Sequence, residues 1–306
     1  MSGDDVDVVV VGGSWAGLAA ALQLGRARTR TLIVDAGRPR NRFARASHGF
    51  LGQDGRSPEA ILETFREQVL AYATVRLREE LAVDISTIDH GGFAVELASG
   101  SVLRAARLIL ATGVVDELPA IQGLRERWGK TVLHCPYCHG YEVADARLGV
   151  LATSDAAMHL ALLLPDWSAD VTLFTNGAFD PHAEQRAQLM ARGVKLETRP
   201  LQSLLGDAPA LDGIQLEGGD IVPVDALFSA SRTRMAAPFA ERLGCAFNEG
   251  PLGPVIRTDE RKETSVPNVF AAGDAARVPY SGTFAAADGA MAGISAHQSL
   301  ALAAAP

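Results

Sequence analysis

The stretch that most constrains the fold is the first one. A continuous valine-rich run, Asp5–Val11, ends in Gly12-Gly13. Val8–Val11 carries no polar residue on either face, so the run reads as a buried parallel strand. An Ala/Leu-rich segment over 18–28 follows at helical spacing, and a second short strand is predicted over 31–34, ending at Asp35. Strand, glycine turn, helix and strand within about 30 residues make a βαβ unit.

The turn itself, Gly12-Gly13-Ser14-Trp15-Ala16-Gly17, is close to G-x-G-x-x-G, with Ser14 at the middle glycine position. The helix N-terminus there offers free N–H groups and the positive end of its dipole to a pyrophosphate. Gly12 allows the sharp turn and Gly17 lets the helix pack close on the strand. Ser14 is small enough to leave room for the phosphate. Asp35 follows Gly12 by roughly 20 residues, the spacing of a carboxylate that accepts from an adenosine ribose. A dinucleotide is therefore expected here; the plainer alternative is a tight turn in a non-binding α/β domain.

Further along, a helix is predicted over 57–70 and short strands over 75–80, 82–89, 92–97, 101–105 and 107–111. A second βαβ start lies over 149–174, with strands over 149–153 and 170–174 and a helix over 155–164. A strand over 266–271 and a Gly/Ala-rich helix from about Thr283 end the chain. Two such starts far apart suggest a duplicated nucleotide-domain architecture rather than a solenoid, whose periods are much shorter.

Composition closes off several classes. The 306 residues suffice for two domains. With 48% hydrophobic and 21% charged residues, disorder is a poor reading. The net charge of −8 argues against general binding to nucleic acid or an anionic membrane. No apolar run reaches the roughly 18 residues of a membrane span; the most apolar stretches carry Asp155 and His159, and Asp288 and His297. The acidic start lacks a basic signal-peptide region, so a cytoplasmic protein is expected. Three cysteines exclude a disulfide-rich scaffold.

Two of those cysteines form Cys135-Pro136-Tyr137-Cys138, followed by His139. C-x-x-C can cycle between dithiol and disulfide, and the motif lowers the pKa of one thiol. A metal site built from cysteines alone would need a second pair, but only Cys245 remains, and His134 and His139 crowd the same loop; no metal is expected. His139 has the proton affinity suited to accept a proton from an incoming thiol and to return one. His134 flanks the pair on the other side. Cys245 reads as a small buried apolar residue.

Three further segments resemble those of two-domain flavoprotein reductases. Ala111-Thr112-Gly113 matches their ATG motif, Gly273-Asp274 their late GD motif, and Arg261-Lys262-Glu263-Thr264-Ser265-Val266-Pro267 the lead into it. Together with the C-x-x-C, nearly the whole chain resembles the low-molecular-weight thioredoxin reductases. That resemblance implies an α/β fold of two Rossmann-like, three-layer ββα nucleotide-binding domains, the second inserted in the first. The FAD-binding domain would comprise 1–116 and 246–306, and the middle domain 117–245 would carry the C-x-x-C. It implies FAD held by Gly12, Ser14, Trp15, Ala16, Gly17, Asp35, Ala111, Thr112, Gly113, Gly273 and Asp274. It also implies a homodimer, with Cys135 meeting the substrate and Cys138 passing electrons to the flavin.

Two departures narrow the expectation. Ordinary members place Asp after the pair, where His139 stands; Cys135 to Glu142 instead resembles the flavin dithiol oxidases of gliotoxin and holomycin biosynthesis, which form disulfides in small natural products with O2 as acceptor. In the second βαβ, the family's G-x-G-x-x-A falls on Ala152, Ser154 and Ala157, and its cationic His-Arg-Arg on Thr175, Asn176 and Gly177. Without cations the NADPH 2′-phosphate has no counter-charge, so NADPH binding is expected to be lost. The leading expectation is an oxidase for a small dithiol with catalytic residues Cys135, Cys138 and His139. The alternatives are a disulfide reductase drawing on NADPH or another donor, and a catalytically quiet flavin-binding or redox-sensing protein. Within 38–55, Arg42 and His48 either line the site or hydrate a loop.

Overall fold

The computed structural model describes residues 5–88, 91–229 and 231–303. The last residue of the strand predicted over 82–89, and positions 1–4 and 304–306 of the expected FAD-binding domain, lie outside the described residues. The chain is α/β and divides into two compact units. The first holds Met1–Arg42, Pro58–Val115 and Arg234–Pro306; the second holds Phe43–Ser57 and Asp116–Thr233. The second unit is thus inserted in the first, but the boundaries differ from the expected 116/117 and 245/246. The return falls at 233/234, because Met235, Phe239, Ala240 and Cys245 are buried in the core of the first unit. Residues 43–57 group with the second unit, where Phe43 packs against Gly129.

In the first unit, β1 (Asp5–Val11) lies between β2 (Thr31–Asp35) and a long strand, Val102–Leu110, parallel to both. Val75–Glu79 extends the sheet beyond β2, also in parallel. The separate strands predicted over 101–105 and 107–111 are one continuous strand, because β1 pairs along it from Asp5↔Arg104 to Val11↔Leu110 and leaves no place for a break. Its two halves have different second partners. Residues 102–105 pair antiparallel with Phe93–Leu97, which pairs in turn with Ala82–Thr87. Residues 108–110 pair in parallel with Val269–Ala271. One side of this sheet is therefore shared between a parallel body and an antiparallel meander.

The first helix, α1 (Trp15–Arg26), crosses the last, Gly282–Ala303. The crossing is close because both helices present only small residues there. A Cβ on Gly289 would collide with the Ala16 carbonyl oxygen, and one on Gly293 with that of Ala20. Backbone-to-backbone approach of this kind multiplies dispersion contacts that a larger side chain would prevent.

The second unit contains a five-stranded, all-parallel sheet in the spatial order Lys195–Glu197, Val171–Phe174, Leu148–Leu151, Ala226–Ser229, Val132–Leu133. Beside it, Leu201–Leu205, Gly213–Leu216 and Ile221–Val222 form an antiparallel meander. Leu124, Phe174, Ile214 and Leu227, all fully buried, form its core. Among the described residues no helix is long and apolar enough to cross a membrane.

Candidate active site

Three turns come off adjacent strands at one edge of the first unit's sheet. Parallel register places Val11 opposite Leu110, and Leu110 opposite Ala271. Gly12, Ala111 and Gly273 therefore emerge together from the carboxyl ends of their strands, where ligands of parallel α/β sheets bind. The close approach is enforced at Gly12. Its φ is +108°, and a Cβ there would run into the Ala111 carbonyl. The Gly12 N–H donates to Val34 O at 2.8 Å, and the Ala111 N–H to Val11 O at 2.9 Å. Gly273 sits against the first turn of α1, with a Cβ placed there 2.9 Å from that of Ala16.

The predicted cofactor residues thus converge. Ser14 caps α1 without a side-chain bond to the first turn, leaving those N–H groups directed at a ligand. Asp35 is buried and ends β2 against Gly13, whose Cβ would lie 2.8 Å from Asp35 Oδ2. Thr112 and Gly113 continue the second turn. Trp15 turns inward instead: its ring meets Phe65 edge-on at 5.6 Å and lies against Gly282. Its side chain is a packing element, and what it can offer a cofactor is its backbone.

Two cations that sequence reasoning did not single out hold the two acidic residues. Arg66 Nη2 donates to Asp35 Oδ2 at 2.8 Å, and Arg40 Nη1 to Asp274 Oδ2 at 2.8 Å. Arg40 also lies over the Tyr280 ring, 4.2 Å from its centroid. No local motif marks Arg66, which stands mid-helix; only the fold brings it to Asp35. The glycine cradle, the uncapped helix start and the oriented carboxylates fit a dinucleotide.

The second unit holds the cysteines. Cys135 and Cys138 are joined as a disulfide with Cα atoms 5.2 Å apart. Cys135 begins the short helix Pro136–His139, whose Pro136 occupies the first position, where its missing N–H costs nothing. The N–H groups of Cys138 and His139 both donate to Cys135 O, at 3.1 and 3.2 Å. Tyr137, largely exposed, meets Trp167 edge-on at 5.5 Å. Burial holds the His139 imidazole below the usual histidine pKa; Glu142 pulls the other way, and positive charge on His48 adds to the lowering.

His48 reaches this centre from the 43–57 segment. Its Nε2 is 3.4 Å from Glu142 Oε1 and its Nδ1 is 3.6 Å from Asp54 Oδ2. Arg42 belongs to the first unit and donates to Pro39 O at 2.9 Å, bracing its own turn. His134 is partly buried beside the pair. Cys245 is buried in the first unit's core, and burial pushes its thiol pKa up.

The second βαβ edge is built differently from the first. Ala152 and Ala157 are buried, and the helix between the strands, Ala157–Leu163, has 7 residues against 12 in α1. Asn176 adopts φ +50° and accepts from Leu201 N–H at 2.8 Å, while Thr175 is buried. Arg199, beyond the end of the neighbouring strand, is paired with Glu197 and Asp220 at 2.7 and 2.6 Å.

Residues 6–293 match the model of the pyridine nucleotide-disulphide oxidoreductase family. The chain is 32% identical over 280 residues to thioredoxin reductase tcpT of Claviceps purpurea, covering 88% of this chain and 86% of that protein. It is 49% identical to the oxidoreductase from Agrobacterium tumefaciens, whose crystal structure superposes with a TM-score of 0.92 over 97% of this chain and 99% of that one. The structure of HlmI is 38% identical, with a TM-score of 0.92 over 98% and 94%. This likeness extends from β1 into the final helix and so takes in both the nucleotide cradle and the cysteine pair: the chain belongs to the pyridine nucleotide-disulphide oxidoreductase family and is thioredoxin reductase-like.

Proposed function

We propose that this chain is an FAD-dependent dithiol oxidase that forms a disulfide in a small-molecule dithiol and reduces O2 to hydrogen peroxide. The observation that carries the oxidase reading is the second βαβ edge. It lacks the glycine turn, has a short helix, and offers no cation at Thr175, Asn176 or Gly177. NADPH is thereby left without a counter-charge for its phosphate, and electrons are taken from the substrate instead.

Gly12, Ser14, Ala16, Gly17, Ala111, Thr112, Gly113, Gly273 and Asp274 would hold FAD, and Asp35 would accept from its adenosine ribose. Bound FAD supplies a two-electron carrier that O2 can reoxidise. A substrate thiol gives its proton to His139, which burial keeps in the neutral, accepting form. The thiolate attacks Cys135, the S–S bond breaks, and Cys138 leaves as a thiolate. The second substrate thiol passes its proton to the Cys138 thiolate, and its sulfur attacks the substrate sulfur of the mixed disulfide, releasing Cys135 as a thiolate. The substrate has lost two electrons and two protons; with FAD bound, the reduced Cys135–Cys138 pair would give up both electrons and re-form its disulfide, and O2 would receive the electrons and protons as H2O2. A homodimer and a cytoplasmic setting complete the reading.

The names of relatives such as tcpT favour a second reading, a disulfide reductase. One experiment separates them. On mixing with dithiothreitol in air, the oxidase consumes O2 and produces stoichiometric peroxide without NADPH. Absence of peroxide, with rapid flavin reduction by NADPH, would establish the reductase.

A further inference from the structure

We propose that His48 is a positioning residue of the dithiol centre, acting on His139 through the Glu142 carboxylate that it faces. The inference deepens the role of His139 given above and rests on it.

The geometry is specific. The 43–57 segment folds back on itself through Ser47 N–H to Arg56 O at 2.8 Å and Gly55 N–H to Ser47 O at 2.9 Å. Asp54 is fixed by the Gly49 N–H, which donates to its Oδ1 at 2.8 Å. Its second oxygen, Oδ2, then faces His48 Nδ1 at 3.6 Å, while Nε2 of the same ring faces Glu142 Oε1 at 3.4 Å. Each ring nitrogen thus meets a carboxylate. A neutral imidazole can donate to only one of them; a protonated one can donate to both.

Glu142 follows His139 by one short turn and is half-exposed, whereas His48 is largely covered. Glu142 therefore links the two histidines: His48 Nε2 lies 3.4 Å from it, and His139 precedes it by three residues on helical backbone, so that the charges of both Glu142 and His48 act on His139. Negative charge on Glu142 favours protonation of His139, and positive charge on His48 opposes it. If His48 served only to tie down its loop, replacing it with a neutral donor would leave His139 unchanged.

The test is a pH titration of the His139 ring by NMR in the flavin-loaded, oxidised, full-length protein with labelled histidine, its resonance identified by loss in His139→Gln. His48→Gln keeps a donor toward Glu142 but removes the positive charge, and should raise the His139 midpoint by roughly one pH unit. Glu142→Gln should lower it. The His48→Gln effect should shrink when Glu142→Gln is already present. A His139 midpoint that does not rise in His48→Gln, or that moves the same way in both single variants, overturns the proposal. Should His48→Gln not fold, the wild-type protein decides: coupled, two-step titration of His48 and His139 supports it, and an independent single step for His139 overturns it. Peroxide formation is assayed separately, so loss of the oxidase reading and loss of this coupling are distinct results.

Discussion

The Asp35 carboxylate receives the Arg66 guanidinium at 2.8 Å on Oδ2, the same oxygen that lies against Gly13 of the nucleotide turn. Arg66 thus fixes the rotamer of the acid proposed to meet the adenosine ribose. FMN has no such ribose, so denaturation should release FAD, identified by chromatography. Asp35→Ala should weaken FAD binding by about 10- to 100-fold, the worth of charge-assisted hydrogen bonds, measured as flavin retained on ultrafiltration. Arg66→Ala should weaken it less, since the carboxylate remains. Unchanged FAD retention in Asp35→Ala would remove the acid from the site.

NADPH should reduce the bound flavin slowly or not at all. Each missing close contact or ion pair weakens binding by about 1–3 kcal/mol, and both kinds are missing at Ala152 and at Thr175-Asn176-Gly177. The check is anaerobic absorbance. Bleaching of the flavin within seconds by micromolar NADPH would contradict the oxidase reading.

The two cysteines should behave unequally. Neither single serine variant can form the internal disulfide, so both should lose dithiol turnover. With an activated mixed disulfide, Cys138→Ser should retain an adduct on Cys135, visible as added mass. Cys135→Ser should acquire it far more slowly. The opposite preference would exchange the roles of the pair.

His139→Ala should keep the flavin and the disulfide yet lower turnover on the order of 10²–10⁴-fold. Its lowered proton affinity also has a sign in pH. In the wild-type enzyme the base form survives below the ordinary histidine midpoint of about 6.5, so the acid limb of kcat/KM should lie below that value. The unfolded chain binds the proton more readily than the folded one. Stability should therefore fall as pH drops through about 6.5, until the folded midpoint is passed. Thermal melts across this window should show the loss, and His139→Gln should flatten it.

Gly289→Val should destabilise the first unit by about 3 kcal/mol, because the added carbons would enter the Ala16 carbonyl where the two helices cross. Calorimetry should register the lower Tm, and flavin retention should fall with it, since Ala16 also belongs to the cradle.

The first βαβ was legible because a valine-rich strand running into a glycine turn has few other uses. Element ends were less so. The helix predicted over 18–28 begins at Trp15, where Ser14 gives no side-chain cap, and stops at Arg26 because Arg28 turns with φ +59°. The strand predicted over 266–271 is confined to Val269–Ala271, since Asn268 also adopts a positive φ. Distant pairings left no local trace. Arg40 and Asp274 are 234 residues apart, and Arg66 lies on an ordinary amphipathic helix. The cysteine motif stood out as a pair, which the structure joins as a disulfide, whereas the approach of His48 to Glu142 depends on which unit a fifteen-residue loop packs with, and periodicity carries no information about that.

That loop has a consequence for recombination. The disulfide-bearing module is not a contiguous cassette, because His48 is inherited from an early stretch of the chain and Cys135, Cys138, His139 and Glu142 from the middle. A chimera that exchanges only 116–233 with a relative pairs one parent's Glu142 with the other parent's loop. Transplanting the dithiol chemistry intact requires a four-crossover exchange that moves 43–57 together with 116–233.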